Sequence, residues 1–113
     1  MNKEAGVLTP DAVETRAADA TAEAVEQSIA AWLRSYLADL LDLSLDKIDD
    51  DTTFDRYGLD SLASIGMITD LGNWLSYELD AAAPNDYPSI KSLARQLAGD
   101  DKVRASYARR LGV

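Results

Sequence analysis

One serine stands out as a residue that could do chemistry, because of the residues around it. Residues 57–62 read Tyr-Gly-Leu-Asp-Ser-Leu, between an acidic segment and an apolar stretch with helical spacing. Gly58 supplies backbone freedom just before the predicted helix, and Asp60 places a carboxylate at its positive end. Ser61 would then present its hydroxyl at the start of that helix.

The same residues also fit an ordinary helix start. A side-chain oxygen of Asp60 or Ser61 could accept hydrogen bonds from the orphaned amide groups of the first turn. Many helices begin in this way, so an Asp-Ser pair alone indicates little. The capping role and a chemical role can also coexist.

The composition excludes several kinds of serine and thiol chemistry. The 113-residue chain has no histidine and no cysteine, which removes Ser-His dyads, disulfides and thiolate metal ligands. An isolated serine hydroxyl is a poor nucleophile, so we expect no catalysis by the chain itself. Its length is that of one domain.

Further residues extend the motif in order along the chain. They are residues 51–62 (Asp-Thr-Thr-Phe-Asp-Arg-Tyr-Gly-Leu-Asp-Ser-Leu), Leu71, Leu75, residues 86–90 (Asp-Tyr-Pro-Ser-Ile) and residues 93–94 (Leu-Ala). Over residues 22–98 the chain resembles the acyl carrier protein family, closest to carriers of polyketide and related natural-product synthases. Several separated elements make this pattern more specific than a short motif.

The resemblance implies a fold and a covalent cofactor. The fold is all-α, a small bundle of three main helices plus a short or degenerate third helix. A phosphopantetheinyl transferase, with magnesium, would attach 4′-phosphopantetheine from coenzyme A to Ser61, where a helix start favours a phosphodiester. Its thiol would carry acyl groups as thioesters between acyl-loading enzymes, ketosynthases or other synthase enzymes.

Partner recognition is also implied by the resemblance. Asp60 matches the acid that helps the transferase recognise the serine, and Leu62 and Ile65 match positions that contact partner enzymes. Gly66 departs from the pattern, because carriers of the fatty acid type have a glutamate there. Docking would then depend less on charge along this helix.

Helical spacing predicts where the elements lie. We expect helices at about residues 22–41 and 61–75, and another from Ser89 that ends at Gly99. The first carries the apolar residues Val25, Ile29, Trp32, Leu33, Tyr36, Leu37, Leu40 and Leu41, and the second carries Met67, Ile68, Leu71, Trp74 and Leu75 on its core face. Residues 80–88 predict a loop or a single turn in place of a third helix.

Two side chains of the second predicted helix fall on another face. Leu62 and Ile65 share that face with Gly66 and Thr69, and are expected to be partly exposed as a docking surface. The alternative is that Leu62 covers the end of the first helix.

The loop between the first two predicted helices is strongly acidic. Its acids do not follow the calcium-loop pattern, so a solvated loop without a metal site is expected. Four of its apolar residues are expected to point inward and tie it to the bundle: Leu43, Leu45, Ile48 and Phe54.

The two ends of the chain lie outside the resemblance. Residues 1–21 are expected to form a flexible tail. Residues 99–113 form a basic tail, with Val103, Tyr107 and Leu111 at four-residue spacing. This spacing leaves open whether the segment is an additional helix or a frayed end.

Charge and hydropathy bear on location and partners. The net charge of −9 disfavours nucleic acid and anionic membranes as partners and favours basic protein surfaces. Neither a signal peptide nor a membrane span is predicted. We therefore expect a cytoplasmic monomer.

Two other functions remain open at this point. A peptidyl or aminoacyl carrier would use the same cofactor, although such carriers usually have two glycines where this chain has Gly58 and Leu59. A helical adaptor without a cofactor would keep Ser61 only as a helix cap.

Overall fold

The regular structure described for this protein is helical. In the computed structural model, which describes residues 21–111, the helices are α1 (Ala22–Leu41), α2 (Ser61–Leu75), α3 (Ala83–Asp86), α4 (Ile90–Ala98) and α5 (Asp101–Arg110), with a 3₁₀ turn at Leu45–Lys47. Between residues 21 and 111 the only β-type pairing is an isolated bridge that joins Thr53 to Ser89. The predicted all-α, acyl-carrier-like bundle is confirmed. The tail predicted at residues 1–21 lies outside the described residues, apart from Thr21.

Helix α1 forms the longest wall of the bundle. Its N-cap is Thr21, whose Oγ1 accepts a hydrogen bond from the Ala24 amide at 3.2 Å. Residues at four-residue spacing along one face are fully buried: Val25, Ile29, Leu33 and Leu37. This face packs along α4, and the helix ends at Asp42 in a left-handed conformation with φ of 56°. The helix matches the predicted range 22–41.

Helix α2 places its core face where the sequence predicts it. Met67, Ile68, Leu71 and Leu75 are buried, and Trp74 is half-buried against them. Gly72 lies at the closing turn, where an added Cβ would come within 2.8 Å of the Tyr77 carbonyl oxygen. A glycine is therefore needed for the chain to leave α2 as closely as it does.

The acidic loop is tied to the bundle by fewer residues than expected. Ile48 and Phe54 are buried, but Leu43 and Leu45 are exposed, so the prediction that these two point inward is wrong. The physical reason is local: the Leu43 amide closes the end of α1 by donating to the Ala38 carbonyl at 2.9 Å. Leu45 then begins the exposed 3₁₀ turn.

The third carrier helix is reduced to one turn. Helix α3 has four residues, of which Ala83 and Pro84 are buried. The short or degenerate third helix expected from the sequence is therefore present as a single turn.

The last two helices close the bundle. Ser89 caps α4 through its Oγ, which accepts a hydrogen bond from the Ser92 amide at 3.1 Å. The Ser89 amide in turn donates to the Ser92 Oγ at 3.1 Å. Helix α5 follows directly and buries Val103 and Tyr107. The C-terminal segment, which the sequence leaves open between a helix and a frayed end, is a helix packed on α1, α2 and α4.

Candidate attachment site at the start of helix α2

Ser61 is the first residue of α2 and its side chain is exposed. The capping role belongs to Asp60, whose Oδ1 accepts a hydrogen bond from the Ala63 amide at 2.8 Å. The Ser61 hydroxyl makes no hydrogen bond to any residue in the range 21–111. Ser61 is thus presented to solvent while its neighbour secures the helix.

The turn before Ser61 is held by the core. Gly58 adopts a backbone φ of 88°, a conformation that residues other than glycine rarely take. Leu59 is buried, and its amide donates to the Phe54 carbonyl at 3.1 Å. The direction in which Ser61 projects is therefore fixed by a buried anchor two residues earlier.

The local electrostatics suit a phosphate ester on Ser61. The backbone amides of Ser61 and Leu62 donate to no acceptor in the described part of the chain, as is usual at a helix start. These amides and the helix dipole make the end of α2 positive. Because the hydroxyl is exposed and unhindered, the residues present fit a covalent phosphate-linked group.

The predicted docking residues lie beside Ser61 on the outer face of α2. Leu62 is 78% exposed and Ile65 is 45% exposed. Leu62 therefore does not cover the end of α1, and both side chains are exposed as expected. Gly66 is half-buried, and a Cβ there would lie 3.9 Å from the Tyr36 hydroxyl of α1.

One polar contact next to this face was not anticipated from the sequence. The Tyr36 hydroxyl of α1 lies close to the Asp70 carboxylate of α2. Burial first, and then the nearby Asp70 carboxylate, raises the pKa of Tyr36 above its ordinary value of 10.0. Asp70, which is exposed on α2, therefore also lies against a side chain of α1.

A cleft of about 350 Å³ opens next to Ser61, between the acidic loop, α2 and α3. Its lining comprises Phe54, Asp55, Leu59, Asp60, Ser61, Ser64, Pro84, Asn85 and Pro88. Ser64 and Asn85 were not singled out from the sequence. The spacing of three residues between Ser61 and Ser64 was the available signal, because residues three apart share a helix face.

Several carboxylates of the acidic loop hold the loop in place. Asp50 pairs with Arg34 of α1 at 2.6 Å, and Asp51 lies 3.8 Å from the Lys91 ammonium of α4. Across residues 21–111, no group of three or more potential ligands is arranged to hold a metal ion. No helix of this region is long and apolar enough to cross a membrane.

Fold and site together define a class of protein, a helical carrier domain with an exposed serine at the start of its second helix. The sequence model of the family described as "Phosphopantetheine attachment site" matches residues 31–97, which is more than half of the chain. The chain belongs to this family of carrier proteins. The cofactor of the family is 4′-phosphopantetheine, held covalently.

Relatives of known name agree with this assignment. The acyl carrier protein TtuC of Teredinibacter turnerae is 38% identical over 86 residues, which cover 76% of this chain and 94% of TtuC. The polyketide synthase ThaG of Burkholderia thailandensis is 31% identical over 101 residues, which cover 89% of this chain but only 2% of ThaG. The chain therefore corresponds to a small part of that synthase.

A solved structure has the same fold. A free-standing peptidyl carrier protein from an uncharacterized secondary metabolic pathway of Acinetobacter baumannii superposes with a TM-score of 0.61 at 31% identity. The superposition covers 66% of this chain and 92% of that protein. The chain is thus similar to both acyl and peptidyl carriers.

Proposed function

We propose that this protein is an acyl carrier protein that is phosphopantetheinylated on Ser61. It would carry acyl intermediates as thioesters between enzymes of a polyketide, related natural-product or fatty-acid pathway. The observation that carries the proposal is the exposed Ser61 hydroxyl, which has no structural task at the start of α2 in a family that bears this cofactor. The extensive likeness to TtuC favours acyl cargo.

The attachment reaction would use coenzyme A as its second substrate. The Ser61 oxygen forms a bond to the phosphorus next to pantetheine, the pyrophosphate bond breaks, and adenosine 3′,5′-bisphosphate leaves. The hydroxyl proton would pass to a base that the transferase supplies. The protein is then a substrate of partner enzymes and supplies no catalysis of its own.

We propose two recognition roles for the residues near Ser61. Asp60 fixes the helix start and presents a carboxylate to the transferase, while Leu62, Ile65 and Gly66 offer a largely apolar surface to synthase enzymes. The attached group supplies a terminal thiol for thioester chemistry, and the protein supplies position and recognition. We place this work in the cytoplasm, with the chain acting as a monomer.

A peptidyl carrier is the second candidate, because the superposed solved structure is a peptidyl carrier protein. Against it, residues 58–60 read Gly-Leu-Asp, where peptidyl carriers usually have two glycines before the residue that precedes serine. The two candidates are separated by offering the loaded protein malonyl-coenzyme A with an acyltransferase, or amino acids with an adenylating enzyme. The mass gained identifies the cargo.

The adaptor hypothesis loses its main argument in the structure. It explains Ser61 as a helix cap, but the cap of α2 is the Asp60 carboxylate. An exposed Ser61 without the capping role, in a chain of the attachment-site family, favours the carrier over the adaptor. We therefore do not retain the adaptor as a candidate.

Intact mass tests the proposal. The protein is incubated with coenzyme A, magnesium and a transferase of broad specificity, beside the variants Ser61→Ala and Ser64→Ala. We expect the wild type and Ser64→Ala each to gain one phosphopantetheine and Ser61→Ala to gain none. Absence of a gain in folded wild-type protein, while a control carrier is loaded, would overturn the proposal.

A further inference from the structure

Tyr57, in the turn that leads to Ser61, makes contacts that the attachment reaction itself does not use. We propose that Tyr57 is a positioning residue for loading: its hydroxyl fixes the turn at residues 54–59, so that the transferase meets Ser61 in one prearranged conformation. This inference rests on the proposed function, because loading of Ser61 is one of its readouts. Tyr57 has no contact with the reacting atoms and acts only through the turn.

The Tyr57 hydroxyl is bound twice by the backbone of Asp49. It accepts a hydrogen bond from the Asp49 amide at 2.6 Å and donates one to the Asp49 carbonyl at 3.0 Å. A phenolic hydroxyl can donate and accept at the same time, so both bonds exist together. The side chain is half-buried and packs against the core. It therefore joins the turn before Ser61 to the acidic loop at Asp49.

The part of the loop that binds the hydroxyl is itself held by two helices. Asp50, the next residue, pairs with Arg34 of α1 at 2.6 Å. The Asp50 carbonyl accepts a hydrogen bond from the Lys91 amide of α4 at 3.0 Å. Asp49 is thus a fixed point, and the Tyr57 hydroxyl connects the turn to α1 and α4.

Tyr57 and Leu59 together set the course of the turn. The Phe54 carbonyl accepts hydrogen bonds from the Tyr57 amide and from the Leu59 amide, both at 3.1 Å. Gly58, which lies between them, has no side chain to hold its own position. Because the two residues share one acceptor, a displacement of Tyr57 also disturbs the bond that places Leu59 two residues before Ser61.

The residues exposed around this turn lie where a transferase has to bind. Asp55, Arg56 and Asp60 are exposed, and Asp55 lines the same cleft as Ser61. A partner that binds a mobile segment must order it, which weakens binding. When only a fraction of the molecules has the competent conformation, the apparent affinity falls by that fraction. A turn that is fixed in advance avoids this loss.

The effect of the hydroxyl can be separated from that of the ring. Tyr57→Phe keeps the packed ring and removes both hydrogen bonds to Asp49. Because Asp49 is exposed, water can bind its amide and carbonyl instead, and we expect the variant to fold. Tyr77→Phe is the matched control, since Tyr77 is also half-buried against the core but follows the opposite end of α2. The Tyr77 hydroxyl has no hydrogen-bond partner within residues 21–111.

Hydrogen exchange on the unloaded full chain tests whether the hydroxyl holds the turn. Tyr57→Phe should speed exchange at the amides of Asp49 and Leu59 about three- to tenfold, because the turn opens more often without the two bonds. Tyr77→Phe should leave both rates unchanged. Faster exchange at Asp49 alone would overturn the proposal, since the turn would then be held without the hydroxyl.

Loading kinetics test whether the fixed turn serves the transferase. Coenzyme A and magnesium are kept in excess, and the initial loading rate is measured against the concentration of the carrier. We expect Tyr57→Phe to raise the KM about three- to tenfold and to leave kcat within about twofold, because the turn must be ordered on binding while the transferase supplies the chemistry.

The kinetic result separates positioning from stability and from attachment. A hydroxyl that only stabilised the fold would leave the KM of the folded variant unchanged. That result, or an equal rise of KM in Tyr77→Phe, would overturn the role of Tyr57 alone, with attachment at Ser61 intact. Folded wild-type protein that gains no phosphopantetheine would instead refute attachment, and with it both proposals.

Discussion

At the scale of single residues, the start of α2 divides two tasks between neighbours. Asp60 closes the helix through a hydrogen bond to the Ala63 amide, and Ser61 keeps an unpaired hydroxyl in solvent. The sequence alone could not assign these tasks, because aspartate and serine are both good capping residues. The division makes their contributions separable by mutation.

Asp60 should affect stability and loading in different ways. Asp60→Ala removes the cap and is expected to lower the free energy of unfolding by about 1 kcal/mol. Asp60→Asn keeps a capping oxygen, so its stability should stay near that of the wild type while the transferase loads Ser61 more slowly. Denaturant unfolding and loading rates measure the two effects. An Asn variant loaded at the wild-type rate would show that the carboxylate is not recognised.

Tyr36 should make stability sensitive to alkaline pH. Its pKa is raised in the folded state, first by burial and then by Asp70, so folding favours the neutral phenol. The associated stabilisation is fully present below the unfolded pKa of about 10 and is lost as pH rises through the higher folded pKa. The free energy of unfolding, measured from about pH 8 to about pH 12, should fall more steeply with pH for the wild type than for Tyr36→Phe. Equal slopes would contradict this account.

At the scale of elements, α5 secures the end of α2 opposite Ser61. The Arg110 Nε donates to the Trp74 carbonyl at 2.6 Å, and its guanidinium lies 4.9 Å from the centre of the Trp74 ring. The Tyr107 hydroxyl lies 2.8 Å from the Ser28 hydroxyl of α1. Helix α5, which follows the residues of the family match, is therefore part of the packed bundle.

Loss of the Arg110 contact should loosen the last turn of α2. We expect Arg110→Ala to speed hydrogen exchange at the amides of Leu75 to Tyr77 on the order of three- to tenfold. Arg109→Ala is the matched control, because Arg109 contacts Ser106 within α5 and also carries one positive charge. The same exchange rates in both variants would show that Arg110 does not hold α2.

At the scale of the whole molecule, the proposed docking face on α2 is apolar although the chain is acidic. The chain carries a net charge of −9, yet the exposed residues beside Ser61 on α2 are Leu62 and Ile65. Of the loop acids, Asp50 pairs with Arg34 of α1 and Asp51 lies near Lys91 of α4. Partner enzymes should therefore bind this face of α2 mainly through apolar contacts.

Leu62 and Ile65 should matter for docking and little for folding. Because both are exposed, Leu62→Ala and Ile65→Ala should change stability by less than about 0.5 kcal/mol. The KM for the loaded protein with a cognate partner enzyme should rise. Leu111→Ala is the control, since Leu111 is 40% exposed and follows Arg110, which contacts the end of α2 opposite Ser61. An equal effect of Leu111→Ala on KM would remove the special role of this face.

The sequence predicts the main helices well and the contacts between distant residues poorly. Four-residue spacing located α1, and a flanking glycine and serine located α4, because these signals are local. The exposure of Leu43 and Leu45 depends on how the end of α1 closes. The docking of α5 depends on Trp74, which is 36 residues from Arg110. Such long-range contacts leave no periodic signal.

The candidate site also combines local features, which the sequence predicts, with contacts between distant segments, which it does not. Gly58, Asp60 and Ser61 were identified from their order in the chain, since the turn and the cap are local. The cleft was not identified, because Asn85 lines the same cleft as Ser61 and Ser64 only once α3 folds against the loop. Its polar character comes from a residue that the motif does not include.

The most direct measurement is the location of the cofactor within the loaded protein. Trypsin should release residues 57–91 as one fragment, because no lysine or arginine lies between Arg56 and Lys91. This fragment contains four serines: Ser61, Ser64, Ser76 and Ser89. We expect fragmentation by mass spectrometry to place the whole phosphopantetheine on Ser61. Its placement on any other residue, or its absence from this fragment, would refute attachment at Ser61.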